Sequence, residues 1–340
     1  MRTAFVVGLS LVSGLAFVVP APIAPPPCAL AAREFAKSLS SEERAKAVRP
    51  LEDAQRTTWA FARAPREGLY LRDMDKDTRA ATLALVDTML SAAGREQWRL
   101  IRATEAINAA NEKASGVTTP TYGDDLYAVS FFPAPDKHAF AFEIEGHHFV
   151  LHAAFADGNV TVTPMFTGSF PAAVASGPDA GKRPLGAAVE AAFALVKSLD
   201  ATQRATARIM EGTPADVLWA VGSDTKAPEQ RGVRRDAMTA AQQKLLDRLL
   251  ATHAGLLDEK VVETQLRVWR AKHGGQLAFA FVGEADLSKA HYYRLTSPCF
   301  TIEYDCTNGD ANHVHCVWSD PHTNFGGDAL RAHVQSAHAK

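Results

Sequence analysis

Apolar and polar positions alternate in two stretches near the C-terminus, CFTIEYDC (299–306) and NHVHCVW (312–318). Both are rich in β-branched and aromatic residues, the pattern of half-buried strands, and TNGDA between them carries an Asn308-Gly309 turn signal. Strand side chains alternate faces with a period of two. Glu303 and Asp305 therefore share one face of the first strand, and His313 and His315 share one face of the second. A hairpin that pairs odd positions with odd positions predicts that the two acids and two imidazoles converge.

Elsewhere the apolar period lengthens to three and four. Residues 38–53, SLSSEERAKAVRPLED, predict a helix with Ser40 or Ser41 as N-cap and Glu43 in its first turn. Residues 77–90 and 96–111 predict two amphipathic helices, with Gly94 as the break between them. A loop over 116–125 leads to strands over 126–133 and 138–155, and Asp157-Gly158 is a hairpin signal before NVTVTPMF. Residues 167–184, rich in Gly, Pro and Ser, read as a long loop or linker.

The pattern then returns. SLDATQRA (198–205) lines up with SLSSEERA (38–45) at an offset of 160, and Trp219-Ala220 matches Trp59-Ala60 at the same offset. Residues 239–252 repeat the helix type of 77–90, and the stretches 276–282 and 300–304 follow as 126–132 and 149–153 do. The expectation is an α+β fold of two tandem helices-then-strands units, an internal duplication of about 150 residues. The units, 32–184 and 185–340, would form an antiparallel sheet covered by helices. Where the second unit has Glu303, Asp305, His313 and His315, the first has His152, Ala154, Thr161 and Thr163. The polar constellation is therefore expected in the second unit alone.

Composition narrows the address and the partners. The 340-residue chain is 47% hydrophobic and 22% charged, as for a globular protein with a substantial core. A short basic start, an apolar run over 4–19 and the A-x-A pattern Ala29-Leu30-Ala31 predict a secretory signal peptide over 1–31. The expected destination is periplasmic or extracellular. The run is shorter than the roughly 20 residues of a membrane span, so no stable membrane insertion is expected after signal removal. With 36 basic and 38 acidic residues, the balance gives no electrostatic footprint for nucleic acid. Export permits a disulfide. Cys299 and Cys306 would lie about 23 Å apart on one strand, whereas Cys306 and Cys316 have the parity to meet on the face opposite the acids. They are the disulfide candidate.

Several motifs carry a family resemblance: TYGDDLY (121–127), GHHFVL (146–151), VTVTPMF (160–166), GPDAGKRPL (177–185), IEYD (302–305), NHVHCVW (312–318) and DP…FGGDALRAH (320–333). Over essentially the whole chain after residue 31, the sequence resembles the bacterial and fungal family catalogued as domain of unknown function 3500. That resemblance brings a pattern of sequence and no activity. The family commonly carries Asn where this chain has Cys306 and His152.

Two carboxylates and two imidazoles on one patch can bind a divalent metal or run acid–base chemistry. Zinc and copper both accept imidazole, so the expected cofactor is one of these. The assignment is His313, His315 and Asp305 as ligands and Glu303 as general base of a metal-dependent, hydrolase-type enzyme acting on a small molecule or polymer fragment. Additional site residues are His147, His148, His333, Asp124 and Arg183. The competing readings are a non-catalytic binding or structural module, in which His–carboxylate hydrogen bonds only order the hairpin, and a copper-dependent oxidoreductase. No phosphate loop, nucleophile elbow or His-Glu-x-x-His motif occurs.

Overall fold

The computed structural model describes residues 26–134, 138–219, 221, 229–306 and 311–338. The Asn308-Gly309 turn and residues 1–25 of the expected signal peptide lie outside them. Residues 27–31 do not: they form the first turn of helix α1 (Pro27–Ser38), where Pro27 occupies a position that has no helical N–H bond to lose. Cys28, Ala29 and Ala32 are buried in the main core, so the expected boundary after residue 31 falls inside a packed helix.

Helix α2 (Ser41–Ala47) follows, started by a capping box in which Ser40 and Glu43 satisfy each other's backbone N–H groups. A two-residue strand β1 (Leu69–Tyr70) precedes α3 (Lys76–Asp87) and α4 (Ala92–Ala114). Gly94 lies inside α4 and does not separate two helices. A Cβ there would come within 1.9 Å of the Leu256 carbonyl oxygen, so the glycine serves a close approach. Strands β2 (Ala128–Pro133), β3 (Ala139–Gly146), β4 (Phe149–Ala156), β5 (Asn159–Thr161) and β6 (Met165–Ser169) complete the first half. Residues 167–169, expected in a loop, belong to β6.

The second half runs α5 (Gly186–Ser198), α6 (Ala201–Ala207), β7 (Val233–Arg234), α7 (Ala240–Ala254), α8 (Glu259–His273), β8 (Ala278–Gly283), β9 (His291–Thr296), β10 (Thr301–Cys306), β11 (Val314–Ser319) and α9 (Gly327–His338). All these strands join one antiparallel sheet in the order β1-β2-β3-β4-β6-β11-β10-β9-β8-β7, with β5 paired to β4. The fold is α+β, and the sheet passes from one half of the chain to the other at the β6–β11 pair.

The two faces of this sheet differ in chemistry. Phe142, Phe149, Leu151, Ile302, Tyr304 and Trp318 point into a core shared with α1, α3, α4, α5, α7 and α8. Each fully buried ring there contributes roughly 2–3 kcal/mol through removal of apolar surface from water. On the other face, Val150, Phe166 and Val317 pack against Trp59, Phe61, Val217 and Phe325. That cover comes mostly from the loops before β1 and β7 and from the segment before α9, with α9 itself placing Leu330 over Ala141 and Ala154 at one end. Loops cannot wrap a sheet as continuously as helices, and on this face the buried polar side chains collect.

Candidate metal centre

Residues Gly146 to Phe149 make a two-residue turn between β3 and β4, with Gly146 paired to Phe149. Gly146 is required there because a Cβ would enter the Tyr127 ring, 2.0 Å from Cδ1. His148 takes φ = 64°, a left-handed conformation that costs a non-glycine residue roughly 1 kcal/mol or more. The turn sets two imidazoles side by side, ring centroids 3.6 Å apart. Both Nδ1 atoms face Glu105 of α4: His147 at 3.0 and 3.1 Å from its two oxygens, His148 at 3.0 Å. Burial pushes the Glu105 carboxyl up to about 9 and drives both imidazoles well below their ordinary range. Left to itself the trio therefore favours uncharged forms.

His315 comes from β11, and His313 from the residue just before that strand. The hairpin register is odd with odd: Asp305 lies directly opposite His315, and Glu303 opposite Val317. His315 Nδ1 is 2.7 Å from Asp216 Oδ1. Burial works against the Asp216 charge, but the hydrogen bond and charge of His315 outweigh it and hold the carboxyl below its ordinary value. The Nε2 atoms turn inward. His313 Nε2 is 2.8 Å from His148 Nε2 and 3.0 Å from His315 Nε2. Phe61, Phe166 and Phe170 wall the cluster, with ring centroids 5.5 and 5.1 Å from His315 and 5.1 Å from His313. Below it lies Gly168, where a Cβ would sit 2.6 Å from His148 Cδ2 and 2.9 Å from His315 Cδ2. Only a residue without a side chain lets the two imidazoles approach.

Among the described residues, His147, His148 and His313 form one group able to hold an ion, and Asp216, Asp305 and His315 form another; within each, the ligand atoms lie within 4.8 Å of one another. His313 Nε2 joins the two groups.

Glu303 sits on the same face but one row along, in the cross-strand series Val150, Phe166, Val317, Glu303, Arg294. It is fully buried. One carboxylate oxygen accepts the Leu218 and Trp219 N–H groups, both at 2.7 Å, and the other accepts the Tyr292 hydroxyl. Burial raises its carboxyl despite these donors and the nearby Arg294 guanidinium. Glu303 thus anchors the loop that carries Asp216.

The remaining expected residues lie elsewhere. Asp124 is paired with Arg79 and Arg102. Arg183 caps the approach to α5, with its carbonyl accepting the Gly186 N–H and its charge acting on Tyr304 from the helix-covered side. His333 of α9 contacts Asp157, at the end of β4 remote from His148. Cys306 and Cys316 are not joined in a disulfide, which corrects the expected pairing. The register places Cys316 opposite Tyr304, so the two cysteines lie diagonally on the helix-covered face. The Cys306 thiol donates to the Ala311 carbonyl, and Cys316 Sγ lies 3.8 Å from His253 Nδ1.

Sequence reasoning missed Glu105, Asp216, Gly168 and Phe61. Glu105 did leave a signal: on α4 it continues the apolar stripe of Trp98 and Ile101, so a polar residue occupies a core position. Asp216 and Phe61 come from loops with no periodicity to read.

A sheet with one face covered by helices and the other mostly by loops, the latter holding a buried imidazole–carboxylate cluster, defines an α+β protein with groups that could hold a metal ion. The chain belongs to the family described as protein of unknown function DUF3500, whose model matches residues 26–327. No curated protein and no solved structure matches it.

Proposed function

We propose that the protein binds a divalent metal, zinc or copper, through His148, His313 and His315, and uses it in hydrolase-type chemistry on a small molecule or polymer fragment. One observation carries this reading: His313 Nε2 faces two other Nε2 atoms at 2.8 and 3.0 Å. A ring nitrogen holds either a proton or a lone pair, so a single proton gives a straight hydrogen bond to one neighbour at most. One cation accepts lone pairs from all three; ligand nitrogens about 2.05 Å from a tetrahedral ion lie about 3.3 Å apart, so binding it opens these separations by a few tenths of an ångström. Glu105 and Asp216, on the outer Nδ1 atoms of His148 and His315, orient the rings so that each Nε2 faces the ion.

Such an ion lowers the pKa of water and polarises a carbonyl or phosphoryl oxygen. Asp305, across the strand from His315, supplies a fourth ligand or the base, the role for which Glu303 is too fully engaged. Asp216, with 42% of its side chain exposed, marks the side open to substrate. Three imidazoles also suit copper, which keeps the oxidoreductase reading attached to the same site.

Two further proposals concern the chain as a whole. The halves derive from an internal duplication, supported by the shared order of two helices, short strand, two helices and strands, and by the loop cover before β1 and β7. Export is supported by the apolar run near the N-terminus.

Elemental analysis of the purified full chain tests the metal reading. The expected result is that His313→Ala and His148→Ala each carry one equivalent of zinc or copper fewer than the wild type. Metal content equal in wild type and both variants, with melting unchanged by chelator, overturns it in favour of a non-catalytic module.

A further inference from the structure

Four residues along β4 from His148, about 13 Å by strand rise, a second cluster lies beneath the loop cover. His152, Glu143 and Glu145 are 3%, 2% and 4% exposed. Glu143 is the cross-strand partner of His152 on β3, and Glu145 is diagonal to it on the same face. His152 Nδ1 is 3.0 Å from the Pro164 carbonyl oxygen. A carbonyl can only accept, so Nδ1 carries the hydrogen, and Nε2 faces the two carboxylates with either a lone pair or a second proton. Burial lowers the pKa of the ring, but without a cation the carboxylates outweigh it and raise the net value.

That arrangement is unfavourable unless a positive charge lies between them. Nε2 is 3.5 Å from Glu143 Oε2 and 3.4 Å from Glu145 Oε1, and none of the three atoms has a hydrogen-bond partner. A protonated imidazole would draw one oxygen to about 2.7–2.9 Å. Two nearly equal separations of this size instead match the edge of a tetrahedron with bonds of about 2.1 Å, which is about 3.4 Å. The neighbouring groups hold the donors from outside. Gln55 Nε2 donates to Glu143 Oε1 at 3.3 Å, and Arg66 Nε lies 3.9 Å from Glu145 Oε2. The Arg56 guanidinium is spent on the Leu51 and Phe325 carbonyls. The His152 ring is walled by Trp59 and Phe325, with centroids at 6.0 and 4.9 Å. Phe325 itself is held at φ = 57°, as His148 is at the first cluster.

We infer that His152 Nε2, Glu143 Oε2 and Glu145 Oε1 form a second divalent-cation site of zinc-type chemistry. It shares no ligand with the imidazole cluster and stands whether or not that cluster binds metal. Its buried position ties β3 to β4.

The test strips the full chain with chelator, reloads it with zinc sulfate, desalts it and counts zinc per chain. The second site predicts that the His313→Ala/His315→Ala protein keeps one equivalent. Adding Glu143→Gln, an isosteric change, should remove that equivalent and weaken zinc binding at least 100-fold. In the wild-type background Glu143→Gln or His152→Gln should remove one equivalent. If the double histidine variant is zinc-free, or if its zinc survives both changes at the buried cluster, the proposal is overturned and the cluster is a proton-sharing network. If the histidine changes remove nothing while Glu143→Gln removes one equivalent, the imidazole reading fails and this one holds. Should the Glu143 variants not fold, cobalt(II) titration of the double histidine variant decides: one equivalent with four-coordinate visible bands supports the site, and none sinks it.

Discussion

At the scale of single residues, the imidazole cluster depends on what is missing at Gly168. A methyl group there would overlap His148 and His315 at 2.6 and 2.9 Å, and neither ring can retreat, because one is tied to Glu105 and the other to Asp216. Gly168→Ala is expected to spread the imidazoles, weaken metal binding about tenfold or more, and cost about 1–3 kcal/mol by overpacking. Metal titration with denaturant unfolding of the same samples checks both; wild-type affinity in the variant would refute the cradle. Asp305 and His315 were legible as partners from parity alone. Gly168 was not, since a glycine in a strand pattern reads equally as a bulge or a weak point.

At the scale of elements, the β10–β11 hairpin and the loop over 216–219 work as a unit. Glu303 belongs to β10, yet its carboxylate holds the Leu218 and Trp219 N–H groups and so sets where Asp216 meets His315. Glu303→Gln keeps one oxygen for the Leu218 and Trp219 N–H groups but removes the charge that strengthens those bonds. Its amide nitrogen cannot accept from the Tyr292 hydroxyl, which must turn to accept instead. The expected result is a loss of about 1–3 kcal/mol in unfolding free energy, with metal affinity reduced about tenfold through the loosened Asp216. Calorimetry and metal titration measure the two effects. A variant that loses metal binding entirely while keeping full stability would point to Glu303 as a ligand. This clamp was illegible beforehand, because backbone N–H groups of an aperiodic loop carry no side-chain signature. The sequence did expose the hairpin itself, through alternation and turn chemistry. The cysteines show the limit of parity: facing the same side is necessary for a disulfide, but a diagonal offset leaves two thiols.

At the scale of the whole molecule, the helix layer and the sheet meet at buried groups that couple global stability to pH. His253 of α7 packs against β9 and β11, with Nε2 2.9 Å from the Tyr293 hydroxyl and Nδ1 facing the Cys316 thiol. Burial lowers its pKa from 6.5 to about 4. A depressed folded value means that the neutral ring is favoured by folding. Its contribution is intact above pH 6.5, falls as pH drops toward 4, and amounts to about 3 kcal/mol across that window. Unfolding measured at pH 7 and pH 4 should lose that much more stability in wild type than in His253→Gln; equal losses would refute the assignment.

The sequence by itself determined the α+β class, a helix start at Ser40 or Ser41 and a helix from Thr239, and the strands on either side of residues 307–311, with the parity by which an odd-with-odd register sets Asp305 against His315. These follow from periodicity, caps and pleat, which act over a few neighbouring residues. Only the tertiary structure decided that His148 joins His313 and His315, that Glu105 and Asp216 grip the outer nitrogens, and that Glu303 anchors a loop. Those contacts join residues 43 to 167 positions apart. The imidazole contacts exist because the sheet crosses from one half of the chain to the other at β6 and β11, and the rest because aperiodic loops and a distant helix fold over the strands; no local pattern encodes either.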